Sequence, residues 1–296
     1  MHPSGSAVVF PGQGTLLASP FTVGPMAAEF RRVVDELGPF GARCRMPEGV
    51  ALLVFAGSVA HYRALRARGA RPSVLIGHGM GELIALVCAG AVTVQQGAHI
   101  VVQRRSVLDR CQQERRAMVS AATNRATADR LVMLAVASRA AVAADNGPGE
   151  VVIAGTIAGI DSVRTFARQR RIETARLNAR WPLHCAPLML PAAMELAEEL
   201  RSLESKPLEV PVFSPAMGRY YRECDKLGEC LAAQLAMRVE FALAIRTLIG
   251  AGIESFVECG PLHGLGRHIQ ELAAKLDADG EAPSTVEQRG CALMRR

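Results

Sequence analysis

The chain has 296 residues, half of them apolar, so it is long enough to bury one large core or the cores of two subdomains. The formal net charge is +6, but aromatic residues make up only 4% of the chain and do not alternate with basic ones, which excludes a typical nucleic-acid-binding surface. The longest apolar region, 74–94, is interrupted by His78, Glu82 and several glycines, so we expect no membrane-spanning segment.

Cysteine and histidine spacing gives no sign of a metal site. The eight cysteines are scattered and include no C-x-x-C pair, and the histidines show no ligand spacing, so we expect neither structural zinc nor a disulfide framework. The N-terminal stretch MHPSGSAVVFPGQG has no charged start followed by a long apolar core. Without such an export signal, we expect a cytoplasmic protein.

Apolar patterning predicts strands that alternate with helices. Short apolar runs bounded by turn residues predict strands, and apolar residues at helical spacing predict helices. In chain order, the predicted elements are a strand at Ala7–Phe10, helices at Pro25–Leu37 and Val50–Arg68, a strand at 72–77, a helix at Thr93–Gln113, strands at 117–122, 131–138, 150–155 and 172–179 with a helix at Ile160–Gln169, a helix at 187–203, a strand at 210–215, a helix at Cys230–Ala251 and a strand at 253–261.

The stretch VLIGHGMGELIAL, residues 74–86, has the pattern of a catalytic turn. An apolar strand leads into a glycine-rich turn and a helix-like run leaves it, which is the arrangement of the nucleophile elbow, G-x-S-x-G. The middle position, however, is Gly79 instead of serine. A dinucleotide-binding loop does not fit, because the third glycine of G-x-G-x-x-G falls on Glu82, whose carboxylate would face a pyrophosphate.

Seven ordered blocks within residues 7–270 resemble the malonyl-CoA:acyl-carrier-protein acyltransferases of fatty acid and polyketide synthesis. The blocks are FPGQG at 10–14, GHGMGE at 77–82, the arginine of VVQRR at 104, NGPGEVVIAG at 146–155, LHCAPLM at 183–189, QLAMRVEF at 234–241 and ECGP at 258–261. Three positions depart from the family pattern: Gly79 replaces serine, Glu150 replaces glutamine and Arg238 replaces proline.

The resemblance implies a fold and its boundaries. It implies an α/β-hydrolase-like large subdomain formed by residues 1–116 and 187–296, with a ferredoxin-like small subdomain, residues 117–186, inserted between its two parts. The short strands alternating with helices after Arg116 are consistent with such an insertion.

The resemblance also implies the catalytic residues. Gly79 occupies the position of the nucleophilic serine, which attacks a thioester once a base has taken its proton. His184 would be that base, and the backbone carbonyl of Gln234 would orient its imidazole in place of the aspartate of a triad. The backbone N–H groups of Gln13 and Met80 would form the oxyanion hole.

Three further residues would bind the substrate. Arg104, 25 residues after position 79, would pair with the free carboxylate of a malonyl group, although the neighbouring Arg105 could exchange roles with it. His78 lies within the elbow, and Trp181 begins the stretch WPLH, where polyketide-synthase relatives discriminate between substrates. Cys185, which follows this stretch, has the look of a substitute nucleophile, but the resemblance implies a cysteine that the family commonly carries there without using it.

Gly79 leaves three functions open. The chain could be an acyltransferase, silenced or altered at position 79, that moves a malonyl-type group from acyl-CoA to the phosphopantetheine thiol of an acyl carrier protein. It could be a non-catalytic relative that binds acyl carrier protein or acyl chains. It could also be a thioester hydrolase in which His184 activates water. The resemblance implies acyl-CoA and the phosphopantetheine arm as substrates, and no permanently bound cofactor.

Overall fold

The computed structural model describes residues 5–12, 26–45, 49–111, 115–135, 139–260, 264–280 and 287–288. The chain forms two compact units. The first draws on Met1–Val102, Glu204–Cys224 and Ala244–Arg296, and the second on Gln103–Leu203 and Asp225–Leu243.

Helices and strands alternate along both units. The helices are α1 (Ala27–Glu36), α2 (Val50–Ala67), α3 (Met80–Cys88), α4 (Val94–Arg110), α5 (Arg125–Leu134), α6 (Ile157–Gln169), α7 (Ala186–Glu199), α8 (Leu227–Ala233), α9 (Phe241–Gly250) and α10 (Leu265–Ala278), with a 3-10 helix at Gly38–Arg45. The strands are β1 (Gly5–Phe10), β2 (Val74–Gly77), β3 (Arg116–Ala121), β4 (Ala140–Gly147), β5 (Glu150–Thr156), β6 (Thr174–Arg176), β7 (Val212–Ser214), β8 (Arg219–Tyr220), β9 (Ile253–Glu258) and β10 (Glu287–Gln288). None of the helices in these ranges is long and apolar enough to cross a membrane.

The first unit is built on a six-stranded sheet. Its strand order is β10-β9-β1-β2-β7-β8, and every pair is parallel except β7 with β8. β1 pairs with β2 on one side and β9 on the other, and its residues from Ala7 to Phe10 are buried. Burial on both faces of a parallel sheet explains why this strand is an uninterrupted apolar run instead of an alternating one.

The second unit contains a four-stranded antiparallel sheet with the order β4-β5-β3-β6. The chain runs β3–α5–β4–β5–α6–β6, and this connectivity with this strand order is the ferredoxin-like topology. Apolar residues of both helices and of the sheet share one core, which includes Leu131, Ile153, Ile160 and Val163. The predicted fold class, an α/β protein with an inserted ferredoxin-like part, is confirmed.

The second compact unit is larger than the predicted insertion at 117–186. It includes α7 and α8, which pack against each other, and residue Val239, which bridges to β4 at Ala144. These contacts join residues that follow the four-stranded sheet in the chain to the same unit. The subdomain boundaries at 116 and 187 remain a prediction.

The predicted strand at 131–138 is wrong over residues 131–135, and residues 136–138 lie outside the described ranges. Residues 131–134 form the last turn of α5, which begins after an N-cap in which Asn124 Oδ1 accepts a hydrogen bond from Thr127 N at 3.0 Å. The cap and the helical spacing of Ala128 and Leu131, both buried, override the apparent strand pattern. The strand lies later, at β4, where alanine-rich residues pair with β5 because tertiary pairing outweighs their weak strand preference.

The predicted single helix at Cys230–Ala251 is also wrong, because residues 234–240 separate α8 from α9. Within this break, Val239 N donates to Ala143 O at 3.0 Å and Asp145 N donates to Val239 O at 2.9 Å. The backbone groups of Val239 therefore serve a strand-like bridge and are not available to a helix. The break begins at Gln234, the residue whose backbone carbonyl is predicted to orient His184.

Candidate active site

The turn between β2 and α3 has the backbone of a nucleophile elbow. Gly79, at its tip, has φ 57° and ψ −115°, a conformation that residues with a side chain adopt only under strain. Two backbone hydrogen bonds anchor the turn, from His78 N to Phe10 O at 2.9 Å and from Gly81 N to His78 O at 3.0 Å. Position 79 thus has the backbone of a nucleophile position but carries no side-chain oxygen.

The other two glycines of the turn are required by close backbone contacts. A Cβ atom at Gly77 would lie 2.0 Å from the carbonyl carbon of Gly81, and one at Gly81 would lie 2.1 Å from the carbonyl oxygen of Phe10. Both distances are far inside van der Waals contact, so a side chain at either position would push α3 away from the strands.

Glu82 is buried in the first turn of α3 and is bound by Tyr221. The Tyr221 hydroxyl donates to Glu82 Oε1 at 2.6 Å. A carboxylate near a helix N-terminus is stabilised by the helix dipole, and the hydroxyl adds a charge-assisted hydrogen bond. The contact ties the elbow helix to the chain just after β8. The sequence pattern does not reveal this hydrogen bond, because Glu82 and Tyr221 are 139 positions apart.

Of the two expected oxyanion donors, Met80 lies within the described residues and Gln13 lies outside them. Met80 is the first residue of α3, where a backbone N–H has no acceptor inside its own helix and the helix dipole adds partial positive charge. Such a group suits a developing oxyanion. His78 belongs to the anchored turn, and its part in substrate binding remains a prediction.

In the second unit, backbone carbonyls of the turn after α8 surround His184. Its Nδ1 lies 2.8 Å from Gln234 O and 2.9 Å from Met237 O. Its backbone N–H donates to Leu235 O at 2.8 Å. Carbonyl groups at a helix C-terminus lack intrahelical donors, and His184 supplies donors to those that follow α8. The Gln234 contact is the one that the resemblance predicts, whereas Leu235 and Met237 are additional.

These contacts define the tautomer of His184. A carbonyl oxygen only accepts hydrogen bonds, so Nδ1 carries the proton that it donates to Gln234 and Met237. In the neutral imidazole the lone pair then lies on Nε2, the nitrogen that can take up a proton. The backbone of His184 has a φ of 62°, in the left-handed region that side chains disfavour, and its N–H bond to Leu235 helps to hold it there.

Arg104 is a buried cation that meets no acidic side chain among the described residues. It lies on α4, is 7% exposed, and makes no salt bridge or hydrogen bond with any residue in the described ranges. Burial lowers the pKa of Arg104 to about 10, because a low-dielectric surrounding disfavours the charged form. At neutral pH the guanidinium is still charged, and an anionic ligand would offset its lost hydration.

Arg105 differs from Arg104 in both burial and pairing. Its side chain is 33% exposed, and its Nε lies 3.5 Å from Asp109 Oδ2. A cation that already has a carboxylate partner is less suited to bind a second one, so the structure favours Arg104 over Arg105 for the carboxylate role.

Trp181 contacts two arginines. The guanidinium carbons of Arg180 and Arg105 lie 5.4 and 5.9 Å from its ring centroid, within the range of cation–π contacts. Arg180 also pairs with Asp109 at 3.0 Å. The indole Nε1 of Trp181 is buried and has no hydrogen-bond partner in the part of the chain that the structure describes. Its influence on substrate choice remains a prediction.

Cys185 is poorly suited to replace the missing serine. It is fully buried, and its thiol lies 3.5 Å from the carbonyl oxygen of Ala154. Burial raises the pKa of Cys185 to about 11, so the reactive thiolate is scarce at neutral pH. The structure therefore argues against the substitute-nucleophile alternative.

The predicted site residues divide between the two compact units. Those in the first unit are His78, Gly79 and Met80, and those in the second unit are Arg104, Trp181, His184 and Gln234. His184 and Gln234 are in direct contact. Among the described residues, no group of three or more His, Cys, Asp or Glu side chains could hold a metal ion.

Comparison with known proteins identifies relatives that are transacylases or polyketide synthases. Residues 48–286 match the acyl transferase domain family. The chain is similar to the malonyl CoA-acyl carrier protein transacylase of Bacillus subtilis, with 29% identity over 244 residues, which cover 78% of this chain and 74% of that protein. It also matches two polyketide synthases from Streptomyces species, of whose length it spans only 3 to 6%.

Two solved structures have a similar fold. One is the acyltransferase domain from module 8 of the salinomycin polyketide synthase, with a TM-score of 0.84 and 26% identity, covering 96% of this chain and 70% of that one. The other is a malonyl-transacylase in complex with its type II polyketide synthase acyl-carrier protein, with a TM-score of 0.80 and 25% identity, covering 91% of this chain and 93% of that one. Because the family match extends over most of the sequence, this chain belongs to the acyl transferase domain family.

Proposed function

We propose that the chain binds malonyl-type acyl-CoA and the phosphopantetheine arm of an acyl carrier protein at an acyltransferase site in which Gly79 blocks the covalent step. The observation that carries this proposal is the buried guanidinium of Arg104, which has no acidic partner among the residues that the structure describes. A malonyl carboxylate would pair with it in a bidentate arrangement, whereas an acetyl group offers nothing to pair.

The blocked step follows from the chemistry of the family. A serine oxygen at position 79 would bond to the acyl carbon while CoA leaves as a thiol, and the carrier-protein thiol would then take the acyl group and restore the hydroxyl. Gly79 offers no oxygen for this ester. Loss of a nucleophile that acts together with its base costs on the order of 10^6 in turnover in a serine hydrolase, so little transfer is expected.

The remaining groups fit the same chemistry. His184, with its proton on Nδ1, presents Nε2 as the base, and the Met80 N–H would stabilise the oxyanion of the tetrahedral intermediate. An acyl carrier protein is the proposed partner, because a malonyl-transacylase of similar fold forms a complex with one. Acyl-CoA and the carrier protein are substrates, and no permanently bound cofactor is part of the proposal.

A hydrolase is the second candidate, because His184 keeps a basic Nε2 that could activate a water molecule in place of the serine. The products distinguish it from the first proposal. A hydrolase releases CoA thiol and free malonate, whereas a silenced transferase binds malonyl-CoA and leaves it intact.

The test is to incubate the purified chain with malonyl-CoA or acetyl-CoA, measuring binding by calorimetry, CoA release by a thiol reagent, and protein mass by mass spectrometry. We expect tighter binding of malonyl-CoA than of acetyl-CoA, no CoA release and no gain in mass. Release of CoA without an adduct would support the hydrolase. Equal affinities, or no binding of either compound, would contradict the proposal.

A further inference from the structure

The turn at 234–240 supplies three backbone carbonyls that bind His184. Gln234 O and Met237 O accept from Nδ1, and Leu235 O accepts from the backbone N–H. These carbonyls lie in the connection between α8 and α9. They can orient the imidazole of His184 only if the backbone of that connection is restrained by other contacts. Contacts that fix this turn therefore control the orientation of the imidazole.

One such contact is the backbone bridge to β4. Val239 donates to Ala143 O at 3.0 Å and accepts from Asp145 N at 2.9 Å. The bridge fixes the end of the turn nearest α9. It does not fix the residue between Val239 and Met237, which is Arg238.

The side chains on either side of Val239 form an ionic cluster. Arg238 Nε donates to Glu240 Oε1 at 2.5 Å, and Arg125 Nη1 lies 3.1 Å from each oxygen of the same carboxylate. Arg125, in the first turn of α5, also donates from Nε to Asp129 Oδ2 at 2.8 Å. The cluster thus connects the turn to a helix of the ferredoxin-like sheet. The Glu240 side chain is only 22% exposed, so solvent screens the cluster incompletely.

We infer that Arg125, Arg238 and Glu240 form an ionic clamp that positions the Met237 carbonyl on Nδ1 of His184 and thereby keeps Nε2 as the basic nitrogen. Arg238 is bonded directly to the Met237 carbonyl carbon, so restraint of Arg238 restrains that oxygen. The three clamp residues are positioning residues, since they act through the backbone of the turn and contact only the protein.

Arg238 stands where the resembling block has proline, whose ring would restrict the backbone at this point without any ion pair. The Arg238 N–H donates no hydrogen bond to any residue within the described ranges, so proline would cost no such bond here. The clamp can therefore be understood as an electrostatic replacement for a covalent restraint. Unlike proline, it is sensitive to salt.

The test reads the imidazole of His184 directly, by nitrogen NMR of the ring and by the exchange rate of the Nδ1 proton. In the unaltered chain we expect the Nδ1–H tautomer and a slowly exchanging proton. Glu240→Gln removes the charge but keeps the size of the side chain, and it should speed exchange about two- to fivefold. Asp161→Asn, which breaks the Arg164–Asp161 pair on α6, is the matched control and should leave exchange unchanged.

Two further measurements make the test decisive. High salt should speed exchange in the unaltered chain but have little effect in Glu240→Gln, and adding Arg238→Pro to Glu240→Gln should restore slow exchange. Unchanged exchange both in Glu240→Gln and in the unaltered chain at high salt would overturn the inference.

The consequence for catalysis rests on the proposed role of His184. In a Gly79→Ser chain, Glu240→Gln should lower kcat and leave KM unchanged, whereas complete inactivity of Gly79→Ser alone would count against the proposed function and not against the clamp.

Discussion

The Nδ1 atom of His184 lies 2.8 Å from the carbonyl oxygen of Gln234. A carbonyl oxygen fixes the tautomer as an aspartate would, but it brings no full negative charge to the ring. In the proposed site, His184 is a base oriented by the backbone of a turn, and Gly79 gives it no serine hydroxyl to deprotonate.

Gly81→Ala should destabilise the protein by roughly 3 kcal/mol or more, because the new methyl group would lie 2.1 Å from the Phe10 carbonyl oxygen. Gly250→Ala is the control, since no described residue beyond its own helix backbone and chain neighbours comes within 4 Å of a Cβ at that position of α9, and it should be neutral or stabilising by up to about 1 kcal/mol. Urea unfolding of both variants measures the difference. If the two variants had equal free energies of unfolding, the backbone contact between Gly81 and Phe10 would be less tight than the structure shows.

Arg104→Met should stabilise the ligand-free protein by about 1–3 kcal/mol, because it removes a buried cation that has no acidic partner within the described part of the chain. The same change should weaken malonyl-CoA binding while leaving acetyl-CoA binding nearly unchanged. Arg105→Met, at a more exposed arginine that already pairs with Asp109, should preserve the preference for malonyl. Thermal unfolding together with calorimetry checks both effects. A destabilised Arg104→Met with normal malonyl binding would exclude Arg104 as the carboxylate partner.

The charge of Arg104 should also make binding depend on pH in the alkaline range. Its folded-state pKa is lowered to about 10, below that of the unfolded chain, so the stability penalty of burying the cation is fully present below pH 10 and is relieved progressively as the pH rises from that value toward the unfolded-state pKa. Malonyl-CoA affinity should fall over the same window, because the guanidinium loses its proton. Calorimetry across this range checks the direction. If the preference for malonyl-CoA over acetyl-CoA persists well above this pH range, a cation other than Arg104 binds the malonyl carboxylate.

Cys185 should react with iodoacetamide about a hundredfold or more slowly than an ordinary exposed thiol, because its pKa is raised to about 11 and it is fully buried. Cys224, which is exposed, serves as the internal control within the same sample. Peptide mapping by mass spectrometry after brief labelling gives both rates. Rapid modification of Cys185 would reopen its candidacy as a nucleophile.

The sequence predicted those parts of the site that depend on local pattern. The elbow could be predicted because Gly77, Gly79 and Gly81 follow a buried strand and precede a helix, and that turn depends mostly on its own residues. The overall fold could be predicted because the ordered blocks identify a family.

The parts that the sequence did not predict depend on contacts between distant residues. The alanines of β4 have little strand preference of their own and become a strand by pairing with β5. The helix expected at Cys230–Ala251 is broken because Val239 bridges to β4. The Met237 carbonyl was missed for a related reason, since a backbone oxygen is present at every residue and only the fold shows which one meets His184.

The most direct test of the account is the activity of Gly79→Ser, with Gly79→Ala as the control that adds a Cβ atom at the same strained backbone position but no oxygen. Gly79→Ser should gain the mass of one malonyl group from malonyl-CoA and pass it to a holo acyl carrier protein, while the original chain and Gly79→Ala should do neither. Arg104→Ala in the Gly79→Ser chain should lower loading from malonyl-CoA far more than loading from acetyl-CoA. A folded Gly79→Ser that binds malonyl-CoA yet forms no adduct would contradict the claim that the hydroxyl is the missing part of an otherwise complete site.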